Sequence, residues 1–115
     1  MSQVFISAAH KSSGKTLVST GLCAVYRRRG MRVAAFKKGP DYIDPAWLTK
    51  ASGGPCWNLD FFTMSQEEIL ACFEVHRQGA EVTVVEGNKG LFDGLDVKGS
   101  DSNAALAVAL DLPVL

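Results

Sequence analysis

Two hydrophobic periods alternate along this chain. Val4-Phe5-Ile6 with Ala8 is a short, continuously apolar run, the pattern of a strand covered on both faces. From Gly14 to about Arg29 the apolar positions Val18, Leu22 and Val25 recur at spacings of four and three, which predicts a helix, and Gly30 is the residue type that commonly ends one. Arg27-Arg28-Arg29 falls in its last turn, where cations meet the negative end of the helix dipole. A second strand is expected over Arg32-Val33-Ala34-Ala35-Phe36-Lys37. A long loop punctuated by Gly39-Pro40, Asp44-Pro45, Gly53-Gly54 and Pro55 then follows, broken by a helical turn around Ala46 to Ala51. Ser65-Gln66-Glu67-Glu68 is a capping-box signature opening a helix with Ile69, Leu70 and Phe73 inward and Gly79 near its end. Val82-Thr83-Val84-Val85 is the clearest strand and runs into Glu86-Gly87; after a glycine-rich stretch, Asn103 to Leu110 reads as helix and Pro113-Val114-Leu115 as the entry to another strand.

Strands alternating with helices predict an α/β fold, a mostly parallel sheet with helices on both faces. At 115 residues this is one domain, and a strand entered only at Val114-Leu115 suggests the N-terminal part of a longer protein, cut before the last strands. The uncovered sheet edge and apolar helix faces of such a piece point to self-association, a homodimer being its simplest form.

Twelve basic and twelve acidic side chains cancel, so no overall positive field is available to hold a nucleic acid or an anionic bilayer, and an anion must be bound locally. No apolar run approaches the ~20 residues of a membrane helix and no signal-peptide pattern opens the chain, so a cytoplasmic protein is expected. Cys23, Cys56 and Cys72 are odd in number with no C-x-x-C pair, which suits reduced thiols. Gly54-Pro55-Cys56-Trp57-Asn58 faintly resembles a nucleophile elbow, but no strand is expected before it. His76, among Glu74, Arg77 and Gln78, reads as a surface residue.

The strongest chemical signal lies between the first strand and the first helix. Ala9-His10-Lys11-Ser12-Ser13-Gly14-Lys15-Thr16 is the phosphate-loop pattern G-x-x-x-x-G-K-[ST] with alanine in place of the first glycine. Unsatisfied N–H groups at a helix start bind polyphosphate, Lys15 would neutralise the outer phosphates, and the Thr16 hydroxyl would ligate Mg²⁺. His10, Lys11, Ser12, Ser13 and Gly14 complete the expected ATP cradle. Glu86, delivered to the carboxyl end of its strand, is the expected carboxylate for that metal. Asp41 and Asp44, in the proline-bounded turn Gly39-Pro40-Asp41-Tyr42-Ile43-Asp44-Pro45, form a second acidic supply, and Asp93 in Gly90-Leu91-Phe92-Asp93-Gly94 suits a place where a carboxylate and aromatic surface meet a ligand. Lys37 and Lys38 stand where they would meet phosphate or an anionic substrate.

Taken together these segments resemble the N-terminal domain of the cobyrinic acid a,c-diamide synthase family, related to dethiobiotin synthetase within the P-loop fold. The resemblance rests on the loop at 9–16, Phe36-Lys37-Lys38-Gly39-Pro40-Asp41-Tyr42-Ile43-Asp44, Asn58-Leu59-Asp60, and Val85-Glu86-Gly87-Asn88-Lys89-Gly90-Leu91-Phe92-Asp93-Gly94. It implies ATP- and glutamine-dependent amidation of acetate carboxylates on a tetrapyrrole through an acyl phosphate. It also implies Mg²⁺ held by Thr16, Asp41 and Glu86. Lys37, Asp41, Tyr42 and Ile43 would face the ring, and Lys15, Asp41, Glu86 and Asp93 would serve the reacting groups. Corrinoids, hydrogenobyrinic acid, sirohydrochlorin and sirohaem precursors are all substrates of this kind, flat and multiply anionic, with Lys37, Lys38 and Lys89 as local donors. The glutaminase domain that normally supplies ammonia has no counterpart in this chain, so glutamine-dependent activity is not expected of it alone. Two other P-loop readings compete: carboxylation in the manner of dethiobiotin synthetase, which would use the same Lys15, Thr16 and Glu86, and a partitioning or regulatory ATPase that dimerises around ATP. The loop at 38–42 and Phe92-Asp93 argue against the first. Against the second, His10 stands where such ATPases carry an extra lysine.

Overall fold

The computed structural model of the chain describes residues 2–7, 15–39, 44–60, 63–87 and 103–114. Four strands, β1 (Ser2–Ile6), β2 (Val33–Lys38), β3 (Cys56–Leu59) and β4 (Val82–Glu86), form one sheet in the order β1-β4-β2-β3, with every pairing parallel. Between them run α1 (Lys15–Arg28), α2 (Asp44–Ser52) and α3 (Gln66–Arg77), and α4 (Asn103–Leu110) follows β4. Parallel strands need crossovers, so each helix returns the chain to the same edge and all four strands end together at the carboxyl edge.

Alternation along the strands sorts two cores. Phe5, Ala34, Phe36 and Val85 turn to one face and pack with Ile69 and Phe73 of α3 and Leu106, Ala107 and Leu110 of α4. Ile6, Ala35, Val82 and Val84 turn to the other and pack with Cys23 of α1 and Leu48 of α2. The first core is aromatic, with the Phe36 and Phe73 rings tilted at 5.0 Å. Helices on both faces of a parallel sheet are the architecture the alternation implied. The capping box is also present: Glu68 N donates to Ser65 Oγ and Ser65 N donates to Glu68 Oε1.

The region between β2 and α3 bears out the helical turn expected around Ala46 to Ala51, as the nine-residue α2, and corrects the rest of the loop reading, since it also holds β3, a four-residue edge strand. Four residues flanked by Gly53-Gly54-Pro55 are too few to show a period of two, and the strand exists because β2 offers it an edge to pair with. Cys56 begins β3, so no strand precedes it and an elbow is absent there. His76 is half-buried, its ring stacked on Trp57 at 3.7 Å and 12°, which pins α3 to the edge strand. At the opposite edge Phe5 N donates to the Pro113 carbonyl and Val114 bridges to Phe5 in parallel, on the side of β1 away from β4. A fifth parallel position therefore begins where the apolar tripeptide suggested. Leu17, Val18, Val25 and Trp47 on α1 and α2 are exposed. Among the described residues no helix is long and apolar enough to cross a membrane.

Candidate functional site

The carboxyl edge of the sheet concentrates buried charge. In the parallel register Glu86 lies between Ile6 of β1 and Lys37 of β2, so its side chain shares a face with Val82 and Val84, the face covered by α1. Glu86 is completely buried and Lys37 is 3% exposed. Lys37 Nζ donates to Glu86 Oε1 at 3.1 Å and to the Gly87 carbonyl at 3.0 Å. The Gly87 N–H in turn donates to the Ile6 carbonyl, tying the end of β4 to the end of β1.

Such a pair is costly to bury. Removing both charges from water costs several kcal/mol per ion, and their attraction offsets this only with good geometry and further hydrogen bonds, so hydrophobic residues of similar volume often serve stability as well. A fold that keeps a carboxylate and an ammonium here, rather than the Val and Ala found one repeat earlier on the same strands, marks the position as a functional candidate. The negative charge is felt through the adjoining core: burial, with the Glu86 carboxylate adding to it, pushes the Cys23 thiol up to about 11.

Other polar groups gather near the same edge. Ser7, just past β1, and Ser19, on α1 one turn before Cys23, have buried hydroxyls with no hydrogen-bond partner among the described residues. Lys38 is buried on the sheet face that carries Phe36. Asp60, next after β3, is buried and accepts a hydrogen bond from Thr63 Oγ1 at 3.2 Å. Gly39 takes φ +89° and donates its N–H to the Leu59 carbonyl at 2.9 Å, which lets the chain leave β2 while staying bound to the end of β3.

Of the residues singled out in the sequence, Glu86 and Lys37 are brought into direct contact. Lys15 and Thr16 open α1, and because α1 runs antiparallel to β1 its first turn belongs to the same carboxyl edge; their side chains lie outside the described residues. So do His10, Lys11, Ser12, Ser13 and Gly14, together with Asp41, Tyr42, Ile43, Lys89 and Asp93. Sequence reasoning placed Lys37 and Glu86 in separate roles and missed their pairing. It gave Asp60 no role, since the strand that aims it was read as loop. Among the described residues no group of three His, Cys, Asp or Glu side chains is arranged to hold a metal. A carboxylate at a strand end is a donor type that Mg²⁺ commonly takes, one or two at a time, completing its shell with phosphate and water.

No family model matches the chain. Against curated proteins it is 57% identical over 113 residues to the cobyrinate a,c-diamide synthase of Magnetococcus marinus, covering 98% of the chain and 24% of that protein. By sequence, the chain is a homologue of one segment of the a,c-diamide synthases. The hydrogenobyrinate a,c-diamide synthase of Rhizobium meliloti is 44% identical over 115 residues, covering all of the chain and 27% of that protein. The cobyrinate a,c-diamide synthase of Dehalococcoides mccartyi is 41% identical over 114 residues, covering 98% of the chain and 25% of that protein. The chain thus spans about a quarter of the length of the curated diamide synthases it matches.

Proposed function

We propose that this chain forms the ATP-binding part of an enzyme that amidates peripheral acetate carboxylates of a cobyrinate- or hydrogenobyrinate-type tetrapyrrole. The observation that carries the proposal is Glu86, fully buried at the end of β4 on the face covered by α1, the helix whose first residues are Lys15 and Thr16. The names of the matched relatives supply the substrate class.

In this reading the segment 9–16 wraps a triphosphate, Lys15 neutralises its outer phosphates, and Thr16, Asp41 and Glu86 hold the magnesium ion. When bound, the ion shields the charge that builds up as phosphoryl passes between oxygens. A ring carboxylate oxygen attacks the γ-phosphorus and ADP leaves. Ammonia then attacks the acyl carbon, phosphate departs, and the nitrogen loses a proton to give the amide. Lys37 offsets the charge of two anions brought together, and Asp41, Tyr42 and Ile43 select the acetate, with Asp93 beside the reacting group. Glutamine reaches the reaction only as ammonia from a separate glutaminase domain.

The test is an assay of the full-length protein with MgATP, glutamine or ammonium, and a panel of cobyrinic acid, hydrogenobyrinic acid and sirohydrochlorin. Mass spectrometry would follow each ring and a coupled assay would follow ADP. ADP release matched one-to-one by amide formation on one of these rings is expected. ADP release without amide, or carboxylation of a diamine, overturns the reading.

A further inference from the structure

We propose that Lys37 is the resident counter-ion of Glu86 in the nucleotide-free protein and is displaced by the divalent cation when metal-nucleotide binds, so that metal capture releases the ammonium toward the anionic substrate. This rests on the reading of Glu86 as a magnesium ligand.

The geometry sets up a competition. Lys37 Nζ lies 3.1 Å from Glu86 Oε1 in a setting where both side chains are almost wholly buried. A divalent cation bonded to a carboxylate oxygen sits at roughly 2.0 to 2.1 Å. Two cations on one buried carboxylate repel each other strongly, because little solvent is present to screen them. While Lys37 holds Oε1, the site disfavours a bare divalent ion. A metal arriving with a triphosphate brings its own negative charge and so tolerates the ammonium's departure.

The second contact of Lys37 fits the same role. Its ammonium also donates to the Gly87 carbonyl at 3.0 Å, in the residue that follows Glu86 and is itself tied to Ile6. The resting position is thus fixed by two acceptors at the end of β4, the buried Glu86 carboxylate and the Gly87 carbonyl. The four-carbon stem gives the ammonium a radius of movement that an arginine fork would not match, since its three donors reorient freely. Charge is exchanged within the site, and the lysine becomes available to an anion only after metal has taken its place on Glu86.

The experiment measures Mn²⁺ binding alone, by electron paramagnetic resonance of the free ion, in the full-length protein without nucleotide. Lys37→Gln keeps a hydrogen-bond donor and removes the charge; Lys37→Met removes both and serves as the second variant. Each Lys37 variant that folds is expected to bind Mn²⁺ at least tenfold more tightly than wild type, and adding Glu86→Gln is expected to abolish the gain. Unchanged or weaker Mn²⁺ affinity in the folded Lys37 variants overturns the proposal. Calorimetry of MgATP with wild type separates the two levels. If wild type binds MgATP and the Lys37 variants gain no Mn²⁺ affinity, the exchange is wrong and the nucleotide reading stands. If wild type binds no MgATP, that reading fails and the exchange falls with it.

Discussion

The two ends of the sheet handle charge in opposite ways. At the amino edge, Arg32 precedes β2 and Glu81 precedes β4; both are exposed, and they are joined by backbone. The Arg32 N–H donates to Glu81 Oε1, Glu81 N donates to the Arg32 carbonyl, and the Arg32 guanidinium donates to the Gly79 carbonyl. Water reaches these charges, so they cost little and specify little. At the carboxyl edge Lys37, Lys38, Asp60 and Glu86 are all buried. The same β2–β4 register runs through both ends, from Val33 opposite Val82 to Lys37 opposite Glu86, so strand pairing does not explain the difference. What differs is that the helices begin at the carboxyl edge, bringing unsatisfied N–H groups and the positive ends of their dipoles there. Stability is arranged at one end, and charge is stored at the other.

The largest effect expected from breaking this contrast is at Glu86. Glu86→Ala leaves the Lys37 ammonium buried without its carboxylate and should cost about 3 to 5 kcal/mol in urea unfolding. Replacing both partners, Lys37→Met with Glu86→Leu, should recover most of that loss while nucleotide-dependent ADP release stays at background. If the double variant is as unstable as the single, the pair is a stability device and the contrast between the edges dissolves.

How much of this was legible beforehand follows from the range of each force. β4 and its terminal Glu86 were readable because a β-branched run announces a buried strand within a few residues. α3 was readable because its cap is a local hydrogen-bond pattern. The parallel sheet followed from alternation alone. β3 was not, since an edge strand of four residues is held by β2, a partner distant in sequence. For the same reason Lys37 and Glu86 were recognised singly: their contact spans 49 positions and depends on register, which one sequence does not display. His76 was misjudged because the ring it stacks on belongs to that unseen strand.

A smaller effect sharpens how far the stored charge reaches. Cys23 is unexposed, and burial, then the Glu86 charge, raises its thiol from 9.0 to about 11. An acid whose folded pKa is raised contributes stability that is complete below the unfolded value and lost as pH climbs to the folded one. Between pH 9.0 and about 11 this thiol should therefore remove on the order of 2 kcal/mol, a loss that Cys23→Ala would not show. Unfolding of the two proteins at pH 8 and pH 10.5 checks this; parallel curves would mean that Cys23 is ionised equally in both states. Alkylation at pH 9 should likewise reach Cys56 well before Cys23.

Smaller again is the cost of straightening the turn that closes the carboxyl edge. Gly39 has φ +89°, and Gly39→Ala places a β-carbon in a conformation that costs about 1 to 2 kcal/mol. Its N–H bond to the Leu59 carbonyl holds the end of β3 against β2, so the loss should be accompanied by faster amide exchange at Gly39. A loss below ~0.5 kcal/mol would show the turn relaxing freely, a margin that separates surface substitutions from strained ones.

The smallest effect is expected at the amino edge, and its smallness is what the comparison requires. Glu81→Ala removes an exposed carboxylate whose contact with the Arg32 N–H is long, at 3.3 Å, while the Arg32 carbonyl keeps its bonds from the Glu81 and Val82 N–H groups at 2.8 and 3.1 Å. Backbone therefore still closes the β2–β4 edge without the side chain. Stability should change by no more than about 0.5 kcal/mol, and nucleotide-dependent turnover should match wild type. Urea unfolding in low and high salt separates the alternatives, since a screened surface charge loses what little it contributes as salt rises. A loss comparable to that of Glu86→Ala would place a second charge-critical region at the amino edge and remove the asymmetry on which the functional assignment of the carboxyl edge depends.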